Sequence, residues 1–157
     1  MNDNKVLAFD VDKCTGCRAC ETRCSFKHFR VINPARSRIR VIKLEEVGMN
    51  IAIACHQCED APCMAVCPTK AMHRDQNTAA RVIDEHRCIG CKACADACPF
   101  GAIVVTPDRH VIKCTLCDGD PECVKHCETG ALLYARVEKA EAEKRYRVAR
   151  RLSGFMK

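Results

Sequence analysis

A chain of 157 residues that is 48% hydrophobic, only 4% aromatic and free of tryptophan has few large side chains with which to fill an interior. Its length suits one compact unit or two small modules. Lys and Arg outnumber Asp and Glu by 26 to 20, and the resulting +6 points at first sight to an anionic partner. Cysteine, at sixteen residues, is the exceptional component. That level ordinarily marks a disulfide scaffold in a short secreted chain. The opening MNDNKVLAFDVDKC, however, has no basic region followed by an apolar run, so no cleavable signal is expected. No eighteen apolar residues run together, so no membrane span is expected either. A reducing cytoplasm, where thiols stay free for metal, is the expected setting.

In chain order, Leu7, Phe9 and Val11 alternate with Ala8, Asp10 and Asp12, a period of two that predicts a strand. The first cysteine group follows, with Cys14, Cys17, Cys20 and Cys24. Residues 25–49 read as an insertion. Within it RSRIRVI alternates Arg36, Arg38 and Arg40 with Ser37, Ile39 and Val41, predicting a strand with a solvated face or one that meets a partner. The second group is Cys55, Cys58, Cys63 and Cys67. DQNT at 75–78 supplies turn residues, and Val82 and Ile83 lead as a strand into the third group, Cys88, Cys91, Cys94 and Cys98. TPDR at 106–109 repeats the turn, and Val111 and Ile112 lead into the fourth group, Cys114, Cys117, Cys123 and Cys127. The plan is short strand, cysteine loop, one or two helical turns, short strand. The fold class expected is α+β.

The spacing identifies the metal chemistry. Groups one and three read Cys-x2-Cys-x2-Cys-x3-Cys, and groups two and four lengthen only the middle gap, to four and five residues. Two-residue gaps let a short loop set three sulfurs on three corners of one cube. The last cysteine lies about one helical turn further on and points towards a neighbouring site. This is the bacterial ferredoxin run, whose fourth cysteine ligates the other cluster. Structural zinc is the rival; it usually takes two Cys-x2-Cys pairs with a longer spacer. Four complete groups favour four [4Fe–4S] clusters. Sixteen thiolates carry −16 and four 2+ cores return +8, so the loaded chain stands near −2. The basic excess then reads as compensation for buried cluster charge rather than as a nucleic-acid surface.

Pro68 and Pro99 follow the second and third groups, whereas Ser25 and Glu128 follow the first and fourth. This asymmetry pairs group two with three and group one with four. Residues 50–105 form an inner ferredoxin module. Residues 1–49 with 106–134 form an outer one around it, and 135–157 form a C-terminal amphipathic helix. On this pairing Cys14, Cys17 and Cys20 share a cluster with Cys127, and Cys114, Cys117 and Cys123 share one with Cys24. Cys55, Cys58 and Cys63 join Cys98, while Cys88, Cys91 and Cys94 join Cys67. Cluster assembly is then coupled to folding.

At CHQCEDAPCMAVCP, CIGCKACADACPFGAI and KCTLCDGDPECVKHCETGAL the chain resembles the four-cluster, ferredoxin-type electron-transfer subunits of dimethyl sulfoxide reductase, formate dehydrogenase and carbon monoxide dehydrogenase. The resemblance covers residues 5 to 134 and all sixteen ligand positions. In its short length the chain is most similar to the small subunit accompanying tungsten-containing aldehyde oxidoreductase. It departs from the family in lacking prolines after Cys24 and Cys127 and any membrane anchor. The resemblance implies a catalytic partner with a tungsten or molybdenum pterin and a separate redox donor or acceptor. A free-standing polyferredoxin, or a subunit of a hydrogenase, formate dehydrogenase or carbon monoxide dehydrogenase complex, is the alternative.

An enzyme is not expected. There is no Gly-rich nucleotide loop, no leftover cysteine nucleophile and no incomplete group that would leave an iron open to substrate. His56 and His126 lie inside cysteine groups and read either as donors to cluster sulfur or as ordinary, partly exposed residues. In the tail, Tyr146, Ala149, Leu152 and Met156 recur at helical spacing with Phe155 beside them. That helix either lies on its own body or docks on the catalytic subunit or a second copy of the chain.

Overall fold

The first and last strands hold the two ends of the chain together. In the computed structural model, which describes residues 5–154 and side chains up to residue 149 apart from 143, 144, 146 and 147, β1 (Lys5–Phe9) pairs antiparallel with β8 (Leu132–Arg136). The register runs from Lys5↔Arg136 to Phe9↔Leu132. Leu7 and Phe9 pack into the adjoining core, as their alternation requires. Val11, expected to continue the strand, instead opens a 3₁₀ turn over Val11–Lys13, because the Asp10 carboxylate accepts from the amide of Asp12 and caps it.

Three further antiparallel ladders follow. β2 (Arg40–Leu44) pairs with β3 (Met49–Ile53), β4 (Met72–Arg74) with β5 (Arg81–Ile83), and β6 (Ile103–Val105) with β7 (Val111–Lys113). The two shorter hairpins turn where DQNT and TPDR lie. Asp75 Oδ1 accepts from the amides of Asn77 and Thr78 and from the Thr78 hydroxyl, and the Thr106 hydroxyl accepts from the amide of His110. Asx- and Ser/Thr-type turns of this kind explain the residue choice.

One-turn helices α2 (Pro62–Ala65), α3 (Ala93–Asp96) and α4 (Glu122–Lys125) each carry the third cysteine of a group: Cys63, Cys94 or Cys123. After the fourth cysteine the chain turns through a left-handed residue, at Lys70, Gly101 and Gly130 respectively. The first group departs from this plan. Its helix α1 (Ala19–Phe29) holds Cys20 and Cys24 and continues for another turn, ending at a left-handed Arg30. No proline follows Cys24 to stop it. The buried Ser25 hydroxyl donates to Thr22 O and accepts from the amide of Asn33, folding the insertion back on the helix.

The RSRIRVI segment corrects the sequence reading in two ways. Regular strand begins only at Arg40, since Pro34–Arg36 is a 3₁₀ turn. Ser37, Ile39 and Val41 are buried, as the alternation requires, yet the arginines between them are not merely solvated. Arg36 pairs with Asp108 at 3.2 Å, Arg38 donates to the Thr115 hydroxyl at 3.1 Å, and Arg40 donates to Ala35 O at 3.0 Å.

Two packing centres result. One gathers Cys20, Cys24, Ile39, Val41, Cys123 and Leu132, with Cys127 against them; the other gathers Cys63, Met72, Cys94, Ile103 and Val111, with Cys58, Cys67, Cys88 and Cys98. Cysteine and alanine dominate the buried residues, and Leu116, Ser25 and Ser37 are the largest side chains buried almost completely. Helix α5 (Val137–Gly154) packs on β1 and β8. Among its described side chains Glu141, Arg145, Val148 and Ala149 are exposed. The Tyr146 and Leu152 side chains, and Phe155 and Met156 altogether, lie outside the described residues. No helix among the described residues is long and apolar enough to cross a membrane.

Candidate metal centres

Each cysteine loop is shaped by one backbone device. The residue just before the second cysteine has positive φ in all four groups: Gly16 at 70°, Gln57 at 52°, Gly90 at 67° and Leu116 at 58°. A left-handed residue there curls the loop so that successive sulfurs face one side. Glycine adopts this conformation freely, whereas a side chain costs on the order of 1–2 kcal/mol. Gln57 offsets that cost with its own amide, which donates to Cys114 O at 3.0 Å and accepts from the Arg81 amide at 2.7 Å. Leu116 does so by burial, being 1% exposed.

Three small cavities are each lined by four cysteines. The first is lined by Cys55, Cys58, Cys63 and Cys98, with the rings of His56 and Phe100 on its wall tilted by 37° and their centroids 4.1 Å apart. The second is lined by Cys67, Cys88, Cys91 and Cys94. The third is lined by Cys24, Cys114, Cys117 and Cys123. Each set takes three cysteines from one group and the last from another. Of the remaining four, the Cys20 thiol feels the charges of both Cys17 and Cys127.

Burial raises six of the thiols. It pushes Cys20 and Cys114 up to about 12, helped for Cys20 by Glu21, Cys17 and Cys127 and for Cys114 by Cys55, Cys24 and Cys117. Cys123 is raised by burial and then by Cys114, Cys24, Cys117 and Cys20. Cys63 and Cys94 are raised for the same reason, but beside Cys63 the Lys113 cation acts in the opposite sense. Thiols this reluctant to ionise need a strong cationic centre to hold them as thiolates. The structure also sets donors at the sulfurs. The amides of Arg38, Gln57, Leu116 and Leu132 donate to Cys24, Cys55, Cys114 and Cys127 Sγ at 3.3–3.4 Å. On the wall of the Cys24 cavity the Nε–H of Arg38 is buried without a partner among the described atoms. Sulfur-rich cavities with inward N–H groups fit a thiolate-bound cluster. Among the described residues, no three or more His, Cys, Asp or Glu side chains converge closely enough for a single ion.

A histidine that sequence reasoning did not name reaches a sulfur. His28 Nε2 lies 3.6 Å from Cys117 Sγ. Burial, with the neighbouring Arg38 and Lys27 cations, holds it down to about 4 and therefore neutral. His126 turns to its own helix, Nδ1 meeting Glu122 O at 3.0 Å. His28 lies in the insertion, outside every cysteine group, and its sequence position carries no signal. Gln57 could have been found, because it occupies the place of Gly16 and Gly90 in the repeat.

The chain matches the 4Fe-4S dicluster domain over residues 48–137, and a second such domain over 13–72. It is 47% identical over 118 residues to the polyferredoxin-like subunit of aliphatic sulfonate oxidoreductase from Pyrococcus furiosus, covering 74% of this chain and 67% of that one. The electron transport protein HydN of Escherichia coli K12 is 35% identical, with 93% of this chain and 98% of HydN covered. Among solved structures, a chain of the BamBC active site complex of benzoyl coenzyme A reductase is 34% identical with a TM-score of 0.50, over 83% of this chain and 75% of that chain.

Proposed function

The chain belongs to the 4Fe-4S dicluster domain family and is an electron-transfer protein, and from that premise we propose that it is a four-cluster wire serving a separate catalytic subunit. The observation that carries this reading is the set of three cavities, each bounded by three cysteines of one group and one of another. In this reading Cys14, Cys17, Cys20 and Cys127 hold the fourth [4Fe–4S] cluster. The two packing centres support nested modules, residues 50–105 inside 1–49 with 106–134. The β2–β3 hairpin pairs Met49–Ile53 with the insertion.

The neighbour relations among thiols order the row. Cys123 feels Cys20, and Cys114 feels Cys55. The Cys63 and Cys94 sets share one packing centre. The sequence of sites is therefore Cys14 set, Cys24 set, Cys55 set, Cys67 set. Cys17 and Cys91 are the exposed cysteines, one at either end of that row. In a body whose radius of gyration is about 15 Å for this length, the clusters supply redox centres close enough for electron hopping. The protein's part is to hold sulfurs, donate N–H groups to them and keep water from the inner pair. Electrons enter at one exposed end and leave at the other. The partner at one end is a catalytic oxidoreductase subunit, with a tungsten or molybdenum pterin enzyme of the aldehyde oxidoreductase kind the preferred class. Helix α5 is the element through which that subunit, or a second copy of the chain, docks.

Anaerobic purification with metal and sulfide analysis tests the first half of this reading. Sixteen iron and sixteen sulfide per chain are expected, and stoichiometric zinc without sulfide would overturn it. Co-purification of the tagged chain from its native cells tests the second half. A large redox subunit is expected, and recovery of the chain alone with full cluster content would favour a free-standing polyferredoxin.

A further inference from the structure

Two cations are buried at the junction between the second and fourth cysteine groups. Arg81 is 4% exposed and Lys113 is 2% exposed. Both line the cavity of Cys55, Cys58, Cys63 and Cys98. Arg81 donates to Ala79 O and Glu59 O at 3.2 Å, and Lys113 Nζ donates to Arg81 O. Every one of these partners is a backbone carbonyl. A carbonyl satisfies a donor without cancelling its charge, and an uncompensated buried charge is strongly unfavourable. Among the described residues neither cation makes an ion pair, and the four neighbouring thiolates, once they hold a cluster, are a large negative charge beside both. The cavity of Cys24, Cys114, Cys117 and Cys123 has the half-buried guanidinium of Arg38 on its wall, and the second cation that Cys117 feels, Lys27, is exposed to solvent. That of Cys67, Cys88, Cys91 and Cys94 has the half-buried Lys92.

Resting on the four-cluster reading, we infer that Arg81 and Lys113 are the fixed counter-charges of the site formed by Cys55, Cys58, Cys63 and Cys98, and make it the highest-potential station of the row. Positive charge nearby stabilises the reduced, more negative form, and cluster potential follows net charge and burial. The exchange is of one electron between neighbouring stations, and no proton needs to move with it. The first electron to enter the row comes to rest here, at an interior position, and later electrons pass by way of a station already filled. Gln57 acts as a positioning residue for the pair, because its side chain accepts from the Arg81 amide and donates to Cys114 O.

The test is a potentiometric titration of the anaerobic, fully loaded chain followed by electron paramagnetic resonance. Cys98→Ser first identifies the signal of this site. In the unaltered chain that signal is expected to be the first to appear on reduction. Lys113→Gln and Arg81→Gln should each move it to lower potential and leave the other three in place, while Lys113→Arg should leave all four unmoved. The inference is overturned if another signal appears first, if a glutamine variant with full iron content leaves this signal in place, or if Lys113→Arg moves it as far as Lys113→Gln. Iron and sulfide analysis of the unaltered chain keeps the two readings apart. Fewer than sixteen of each would count against the four-cluster reading, whereas the assignment of the counter-charges is judged on the signal that Cys98→Ser removes.

Discussion

His28 Nε2 stands 3.6 Å from Cys117 Sγ, joining the end of a helix in the first third of the chain to a thiol in the last third. With its proton on Nε2, the neutral imidazole donates to a cluster-bound sulfur, which has no proton of its own to give. Hydrogen bonds to sulfur stabilise the reduced cluster and raise its potential. His28→Leu is therefore expected to lower one midpoint potential by on the order of tens of millivolts, given that 59 mV corresponds to about 1.4 kcal/mol for one electron. Redox titration checks this, and His28→Gln should restore part of the shift.

The cavities predict the outcome of removing a fourth cysteine. Cys24 lines the cavity of Cys114, Cys117 and Cys123 although it sits in the first group. Cys24→Ser should disturb that cluster and largely spare the one bound by Cys14, Cys17 and Cys20. Spectra compared with Cys127→Ser and Cys17→Ser assign the damaged centre. Damage confined to the first loop's own cluster would count against crossed ligation.

Alkali should widen the stability gap between loaded and metal-free chains. Cys20 and Cys114 are raised from 9.0 to about 12 in the fold. A thiol raised in this way stabilises the metal-free fold fully below pH 9 and ceases to do so as pH climbs towards 12. The loss is about 1.4 kcal/mol per pH unit for each such thiol. On the loaded chain the thiolates are already formed, whereas the unfolded chain takes up protons below about pH 9, so the loaded fold gains stability as pH rises to that point instead of losing it. Denaturant titrations of both forms at pH 7.5 and 10, under reductant, measure the difference.

Two equivalent glycines should respond unequally to alanine. Gly16 and Gly90 both have positive φ, 70° and 67°. A Cβ on Gly16 would run into the Asn50 side chain, whose amide reaches Cys14 O at 3.4 Å; a Cβ on Gly90 meets nothing nearer than Arg109 O at 4.0 Å. Gly90→Ala should cost about 1 kcal/mol from backbone strain alone. Gly16→Ala should cost more and loosen the Cys14–Cys20 loop. Chemical denaturation and iron retention distinguish them.

Removal of the tail should separate assembly from cluster content. The β8 ladder runs to Arg136, so the cut belongs after that residue rather than at the 134/135 boundary suggested by sequence. The truncated chain is expected to keep its iron and bind its partner more weakly. Salt should weaken the full-length complex too, since residues 136–157 hold eight basic and three acidic groups.

What could be read from the sequence followed from rules local to a repeat. The sixteen thiols, the strands before Cys88 and Cys114, and the turns at Asp75 and Thr106 all come from short-range pattern or turn chemistry. The helical extension through Lys27 and Phe29 was less visible, because α1 is held by tertiary contacts: Glu21 Oε1 accepts from the Val41 amide at 2.8 Å. His28, Arg81 and Lys113 were unreadable as contributors to a site. Their role depends on burial beside a cavity whose other walls come from distant segments. The arginines of RSRIRVI show the converse, since an alternating pattern reports which side is buried but not what the other side touches.

The β1–β8 ladder also dictates a temporal order. Phe9 must wait for Leu132, about 120 residues further on. At roughly 5–20 residues per second on the ribosome, that is a delay of about 6–25 seconds. The hairpins β4–β5 and β6–β7 are complete about 50 and about 20 residues before it, so the middle of the chain matures first and the beginning last. Throughout the interval the first strand is an unpaired edge, open to pairing with other chains. The nascent thiols at Cys14, Cys17 and Cys20 are then the ones most exposed to oxygen. Cells making this protein in quantity should need low oxygen or a thiol-protecting chaperone during translation more than after it.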